Sequence, residues 1–73
     1  MAQRVVIDPA VMHGKPVIRG TRVPVARIIG GLAGGMTRKE IMEEYGITGA
    51  DIKAALEYSC ELVEREEFHP LPK

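Results

Sequence analysis

The chain has 73 residues, a formal net charge of zero and one cysteine, Cys60. This length predicts a single domain, which buries only about 60% of the surface that its unfolded chain exposes. The zero net charge argues against strong nonspecific binding to nucleic acid, and the lone thiol excludes a disulfide scaffold. Because no apolar run is long enough to span a bilayer or to form a signal peptide, we expect a cytoplasmic protein without a membrane role. A chain this small needs extra stabilisation, and we expect it from a partner or from a homodimer.

The first element is a short strand at residues 4–7, which the pair Asp8-Pro9 closes with a turn. A lone strand leaves its backbone groups unpaired, so it needs a neighbour. Two neighbours remain open: residues 17–18 of the same chain, or the same strand of a second copy. Residues 9–16 are expected to form a loop, in which His13 has no second ligand at a spacing that would bind a metal.

Residues 13–25 interleave turn residues, β-branched residues and cations. Pro16 opposes a helix, Val17-Ile18 favours an extended backbone, and Gly20 permits a bend. Three cations are therefore expected to project from a short, stiff segment, where they could contact a partner. We call them the basic platform: Lys15, Arg19 and Arg22.

The first helix is predicted to begin at Val25, because the ring of Pro24 presets φ for a first helical turn. Its apolar residues recur at the spacing of one helix face: Val25, Ile28, Ile29, Leu32 and Ala33. The pair Gly30-Gly31 weakens this helix and serves tight packing against a neighbour, and Gly34-Gly35 supplies a left-handed stop.

Two further helices follow, each with a threonine at its start. Thr37 and Glu40 form a capping box for the second helix, which ends at Gly46. Thr48 caps the third helix, with Asp51 in its first turn. The third helix carries regularly spaced residues that we expect to form a buried face: Ile52, Ala55, Leu56, Ser59, Leu62 and Val63.

These elements predict one mainly α domain, a small three-helix bundle at residues 25–67 with a helix-turn-helix (homeodomain-like) arrangement. Residues 4–25 form a short N-terminal β element with the basic platform, and residues 68–73 form a tail. A helix-turn-helix can place its second helix in the major groove of DNA. Candidate DNA contacts are Arg38, Lys39, Thr48 and Lys53. Asp51 is expected to face outward and to repel phosphate, so the arrangement can equally serve packing or protein binding.

The charges divide along the chain. Residues 1–39 carry seven cations and one acid, whereas residues 40–73 carry three cations and nine acids. The two halves can meet two different surfaces, or they can neutralise each other within the fold or across a dimer. The acidic outer face of the third helix is either solvated or a docking surface for a basic partner. In the tail, Phe68 and Leu71 can anchor to a partner, although disorder is equally compatible with this sequence.

A family resemblance rests on residues 14–25, which read GKPVIRGTRVPV, with Ile7-Asp8-Pro9 before them and a helical segment ending in Gly-Gly-Met-Thr after them. This pattern resembles the domain-of-unknown-function family numbered 433, over about residues 5–58. The resemblance implies a small helix-turn-helix-like bundle with an N-terminal β element. It also implies an antitoxin, because several members are regarded as antitoxins paired with PIN-like ribonuclease toxins.

Three hypotheses follow. In the first, which the resemblance implies, the chain inhibits a PIN-like ribonuclease and can also bind operator DNA. Arg19 or Arg22 then enters the carboxylate cluster that holds the nuclease metal, through bidentate hydrogen bonds. In the second, the chain is a DNA-binding transcriptional regulator without a toxin partner, and Arg4, Arg19 or Arg22 adds phosphate contacts. In the third, it is a small assembly module. No catalytic or metal-ligating set is recognisable, so we expect neither an enzyme nor a cofactor.

Overall fold

The computed structural model describes residues 4–65, which form a two-stranded sheet and three helices. In chain order the elements are β1 (Val5–Ile7), β2 (Pro16–Ile18), α1 (Val25–Ala33), α2 (Arg38–Tyr45) and α3 (Gly49–Arg65). The fold is mainly α with a short N-terminal β element, as the sequence predicts.

The two strands pair antiparallel within the chain, with Val5 opposite Ile18. Two neighbours were possible for the first strand, and β1 pairs with β2 of the same chain. The connecting loop turns tightly at Met12–Gly14, where three consecutive residues have positive φ values of 49°, 56° and 80°. Val17 also bridges to Pro24, which holds the segment leading into α1 against the hairpin.

Gly31 allows α1 to approach the start of α2. A Cβ atom at this position would lie 3.1 Å from the sulfur of Met36 and 3.4 Å from Cδ1 of Ile41. A Cβ atom at Gly30 would have no neighbour within 4 Å. Tight packing was predicted for both glycines, but only Gly31 contributes to it. Gly35 follows α1 with φ of 101°, which is the predicted left-handed stop.

The capping box of α2 forms as predicted. The Glu40 backbone N–H donates to the Thr37 hydroxyl at 3.1 Å, and the Thr37 backbone N–H donates to the Glu40 carboxylate at 2.9 Å. The hydrogen bond that the Glu40 carboxylate accepts from the Thr37 backbone N–H, and after it the interaction of the same carboxylate with the Thr37 side chain, hold the pKa of Glu40 below its usual value. Gly46 ends α2 in a left-handed conformation, with φ of 65°.

The core lies where the three helices meet the hairpin. Its members are almost entirely removed from water and are all aliphatic: Ile18, Val25, Ile28, Ile41, Ile47, Ile52 and Ala55. Burying each of the larger side chains stabilises the fold by about 1.5–3 kcal/mol. Ile47 belongs to the turn between α2 and α3, so its burial also fixes how these two helices meet.

The face of α3 that was predicted to be buried is buried only in its first half. Ile52 and Ala55 lie in the core, whereas Leu56, Leu62 and Val63 are exposed. The prediction was wrong for these three because α3 has 17 residues, while α1 and α2 have 9 and 8. The shorter helices cannot cover the whole length of α3.

Candidate partner-binding surface

The three cations of the basic platform flank β2. Lys15 precedes the strand, and Arg19 and Arg22 follow it, all with exposed side chains. The Arg19 backbone N–H donates to the carbonyl of Arg4 at 2.6 Å, which extends the hairpin by one further hydrogen bond. The hairpin therefore fixes the backbone from which the platform projects.

The turn that carries Arg19 and Arg22 is held by Thr21. Its hydroxyl donates to the Ile18 carbonyl at 2.8 Å and accepts from the Val23 backbone N–H at 3.0 Å. Gly20 has φ of 79°, a conformation that other residues rarely adopt. The turn thus takes its shape from local hydrogen bonds, without help from a partner.

An open depression of about 270 Å³ lies beside the platform. Its side chains come from the hairpin loop, the segment before α1, and helices α1 and α2: Met12, Arg22, Val23, Pro24, Arg27 and Tyr45. The exposed lining is mostly apolar, and two exposed arginines, Arg22 and Arg27, contribute to it. Within residues 4–65, neither of these arginines forms an ion pair. A carboxylate-bearing segment with apolar neighbours fits this chemistry.

Sequence reasoning did not select Arg27, Tyr45 or Met12 as site residues. Tyr45 is half-buried between the core and the depression. Met12 lines the depression and has a left-handed backbone conformation, with φ of 49°. No pattern in the neighbouring sequence predicts this conformation. The sequence does contain one signal for Arg27. It lies in the first turn of α1, where the helix dipole disfavours a cation, so a cation at this position indicates a role other than helix stability.

Asp51 differs most from its predicted environment. It was expected to face outward and to repel phosphate, but it is buried at the start of α3. Its carboxylate accepts from the Arg4 guanidinium at 3.1 Å and from the Thr48 backbone N–H at 3.0 Å. The Asp51 backbone N–H donates to the Thr48 hydroxyl at 3.2 Å. The prediction was wrong because this reciprocal cap turns the carboxylate back towards the helix start and the hairpin.

Two opposing effects act on the Asp51 carboxyl. Burial raises its pKa, whereas the hydrogen bonds with Thr48, and then the hydrogen bond and charge of Arg4, lower it. The lowering effects together prevail, so the pKa of Asp51 lies below its ordinary value. Asp51 is therefore an ionised structural group at neutral pH.

Two of the four candidate DNA contacts form hydrogen bonds at the start of α3. The Arg38 guanidinium donates to the Gly49 carbonyl at 3.3 Å, and Thr48 caps α3. Lys39 and Lys53 are exposed, and neither forms an ion pair within the described part of the chain. Arg38 is exposed as well, so three of the four candidates carry a cationic group that a phosphate can reach.

The tail candidates Phe68 and Leu71 lie outside the described residues. Between residues 4 and 65, no three His, Cys, Asp or Glu side chains are grouped so that they could hold a metal ion. No helix in that range is long and apolar enough to cross a membrane.

These features define a class of small domain, in which a β-hairpin packed on three helices presents a cationic turn beside an open apolar depression. Residues 5–59 match the family described as "Protein of unknown function (DUF433)", and the chain belongs to this family. The crystal structure of a DUF433 member protein from Anabaena variabilis ATCC 29413 has a similar fold, with a TM-score of 0.79 and 33% sequence identity. The match covers 86% of this chain and 63% of that one.

Two further similarities are to proteins of Mycobacterium tuberculosis. The chain is 38% identical over 53 residues to the protein of strain ATCC 25618 / H37Rv named "Putative antitoxin VapB45". This match covers 73% of the chain but only 22% of VapB45. The crystal structure of Rv2018 matches with a TM-score of 0.65 and 38% identity, over 71% of this chain and 24% of that one.

An uncharacterized protein of Archaeoglobus fulgidus is 65% identical over 23 residues, which are 32% of this chain and 64% of that protein. The chain thus spans less than two thirds of each of the two curated relatives that it matches.

Proposed function

We propose that this chain is an antitoxin that binds and inhibits a PIN-like ribonuclease toxin through the basic platform and the adjoining depression. The observation that carries the proposal is the pair Arg22 and Arg27, two exposed arginines that border a mostly apolar depression and form no ion pair within residues 4–65. The similarity to a protein named as an antitoxin supports a toxin as the partner. The proposed role is regulatory, and no catalytic step is assigned to the chain.

The mechanism follows from the chemistry of the two partners. A nuclease that holds its metal with clustered carboxylates presents several acceptor oxygens in a small volume. An arginine can donate two parallel hydrogen bonds to such a carboxylate. Arg22 is suited to this role because the turn held by Thr21 presents it from a fixed backbone, and the mostly apolar depression beside it offers contact area to the apolar neighbours of that carboxylate.

The test uses the full chain and the ribonuclease encoded beside it, with RNA cleavage and the dissociation constant as the two measurements. Arg22→Ala combined with Arg27→Ala should weaken binding by about 10²-fold or more, because both charge-assisted contacts are lost. Arg19→Ala combined with Arg22→Ala tests the platform in the same way. Lys39→Ala combined with Arg65→Ala is the matched control, since it also removes two exposed cations. Full inhibition by the Arg22/Arg27 variant, with its fold intact, would reject the proposed surface.

DNA binding is a second candidate function, in which the chain regulates transcription, including that of its own operon. It is favoured by the burial of Asp51, since the acid expected to repel phosphate faces the hairpin instead. Lys39 and Lys53 remain exposed, in the first turn of α2 and in the first half of α3.

The measurement for this candidate is the affinity for DNA from upstream of the chain's own gene, titrated against salt. Lys39→Ala combined with Lys53→Ala should reduce the slope of log affinity against log salt concentration by about 2. An unchanged slope, or no binding at low salt, would count against a DNA-binding role.

A further inference from the structure

The outer edge of β1 carries backbone hydrogen-bonding groups that face away from β2. Ile18 of β2 lies opposite Val5, but its backbone N–H donates to the Val23 carbonyl at 3.0 Å, on the other side of β2. Bonded and non-bonded pairs alternate along two antiparallel strands, so Val6 is the residue of β1 whose backbone groups bond to β2. The N–H and carbonyl groups of Val5 and Ile7 therefore point to the outer edge.

This edge has no partner strand within residues 4–65. The sheet there has two strands, and the backbone hydrogen bonds outside it do not involve Val5 or Ile7. Proteins usually protect an exposed edge with a charge or a proline, but β1 reads Val-Val-Ile and has neither. The side chain of Ile7 is also 59% exposed. An unprotected edge of this kind is suited to pairing with a further strand.

A second copy of β1, running antiparallel, satisfies this edge when the two-fold axis passes between the two Val6 residues. Val5 of each copy then lies opposite Ile7 of the other, and four hydrogen bonds use all four outward groups of each strand. Each exposed Ile7 also gains a β-branched neighbour across the strands. A shift of two residues in either direction moves Val5 or Ile7 beyond the end of the opposite strand. In one direction Val5 meets Pro9, which has no N–H to donate.

The charges at the two ends of β1 favour the same register. It places Arg4 of each copy opposite Asp8 of the other, whereas a shift of two residues places one of these charges opposite Val6. Arg4 binds Asp51 through one nitrogen, and its side chain is 55% exposed, so further N–H donors remain. Asp8 is exposed, and one of its carboxylate oxygens accepts from the Ala10 backbone N–H. Within residues 4–65, Asp8 forms no ion pair.

We propose that two copies of this chain pair through the outer edges of β1, forming an antiparallel four-stranded sheet in the order β2-β1-β1-β2. The two-fold axis lies beside Val6. The basic platform flanks β2, at the outer side of each hairpin, so the dimer leaves both platforms accessible. The proposal does not depend on the toxin, and it is tested with this chain alone.

The first experiment locates the axis with engineered cysteines in a Cys60→Ser background. The two Val6 residues face each other as a non-bonded pair, with Cα atoms about 4.5 Å apart, which a disulfide can span. Val6→Cys should therefore form a disulfide-linked dimer on mild oxidation. Ile7→Cys is the matched control: Ile7 is more exposed, but its two copies lie about 8 Å apart in this register, too far for a disulfide. Stronger cross-linking at residue 7, or none at residue 6, would overturn the proposed register.

The second experiment tests the backbone contacts by sedimentation equilibrium of the full chain. The wild type should dimerise as its concentration rises. Ile7→Pro removes an outward N–H without touching the hydrogen bonds to β2, and it should weaken association by about tenfold or more. Ile7→Val keeps both the N–H and an apolar side chain and should leave the dimer intact. Equal association of the two variants, or a wild type that stays monomeric up to about 1 mM, would overturn the proposal.

The third experiment tests the charges and also serves if Ile7→Pro does not fold. Asp8→Asn keeps an oxygen for the Ala10 N–H but removes the charge opposite Arg4 at both ends of the interface. It should weaken the dimer by about threefold or more. Glu43→Gln makes the same change of charge at an exposed position on α2 and should have no effect. Equal dissociation constants for these two variants would contradict the pairing of Arg4 with Asp8.

Discussion

The guanidinium of Arg4 lies 3.1 Å from the carboxylate of Asp51, and this ion pair joins two residues that are 47 positions apart in the sequence. It connects the residue before β1 to the first turn of α3. The Asp51 side chain is only 13% exposed, whereas that of Arg4 is 55% exposed. Asp51 also forms the reciprocal cap with Thr48. Its carboxylate therefore stabilises the start of α3 and at the same time ties the residue before β1 to this helix.

We expect the loss of Asp51 to cost more stability than the loss of Arg4. Asp51→Ala removes the acceptor of the Thr48 N–H together with the ion pair, which should lower the free energy of unfolding by about 1–2 kcal/mol. Arg4→Ala removes the more exposed partner and should cost about 0.5 kcal/mol. Urea unfolding followed by circular dichroism measures both, with Glu43→Ala on the outer face of α2 as the control. Equal losses for the two variants would mean that the cap contributes nothing beyond the ion pair.

Acid should remove the contribution of Asp51. Its pKa in the folded chain lies below the value of about 3.9 expected when unfolded, so the carboxylate stabilises the fold at pH values above about 4. This contribution disappears as the pH falls through the folded-state pKa. The difference in free energy of unfolding between wild type and Asp51→Asn should therefore be constant above about pH 5 and shrink below about pH 4. A difference that grows on acidification would show that the pKa is raised instead.

Alanine at the two adjacent glycines of α1 should have different effects. Gly30→Ala adds a methyl group in open space and should stabilise the chain by about 0.5–1 kcal/mol through helix propensity. Gly31→Ala gains the same propensity but forces its methyl group against Met36 and Ile41, so its stability should fall below that of Gly30→Ala. Thermal unfolding of both variants makes the comparison. Identical stabilisation would indicate that α1 does not pack closely on the start of α2.

The stop of α2 should depend on the left-handed conformation of Gly46. Gly46→Ala places a Cβ atom on a residue with φ of 65° and should destabilise the chain by about 1 kcal/mol. Gly46→Asn should cost less, because asparagine tolerates this conformation better than alanine. The ranking of the two midpoints in urea is the measurement, and a reversed order would contradict the assigned stop.

The helix starts were predictable because their signals are local. Thr37 and Glu40 are three positions apart and complete their cap without contributions from elsewhere in the chain. The position of Asp51 was not predictable, although Thr48 was recognised as a cap, because its second partner is Arg4 in another element. A capping pattern shows that a carboxylate lies at a helix start but not what packs over it.

The depression was hidden for a similar reason. Met12 and Tyr45 line the same space from the hairpin loop and the last residue of α2, and no spacing rule relates two such positions. Helical periodicity correctly identified one apolar face along α3. It could not show that the core ends near Ala55, because that depends on how far the shorter helices reach.

The link between Arg4 and Asp51 also affects when the hairpin is tied to α3 during synthesis. The hairpin that carries the platform is among the first parts of the chain to be made, but its tie to α3 needs a residue 47 positions later. Closing such a long loop is entropically costly until the intervening helices have packed. A nascent chain that ends before residue 51 lacks this tie. The surface that we assign to the toxin also needs Tyr45 at the end of α2, so it is complete only when most of the chain has left the ribosome.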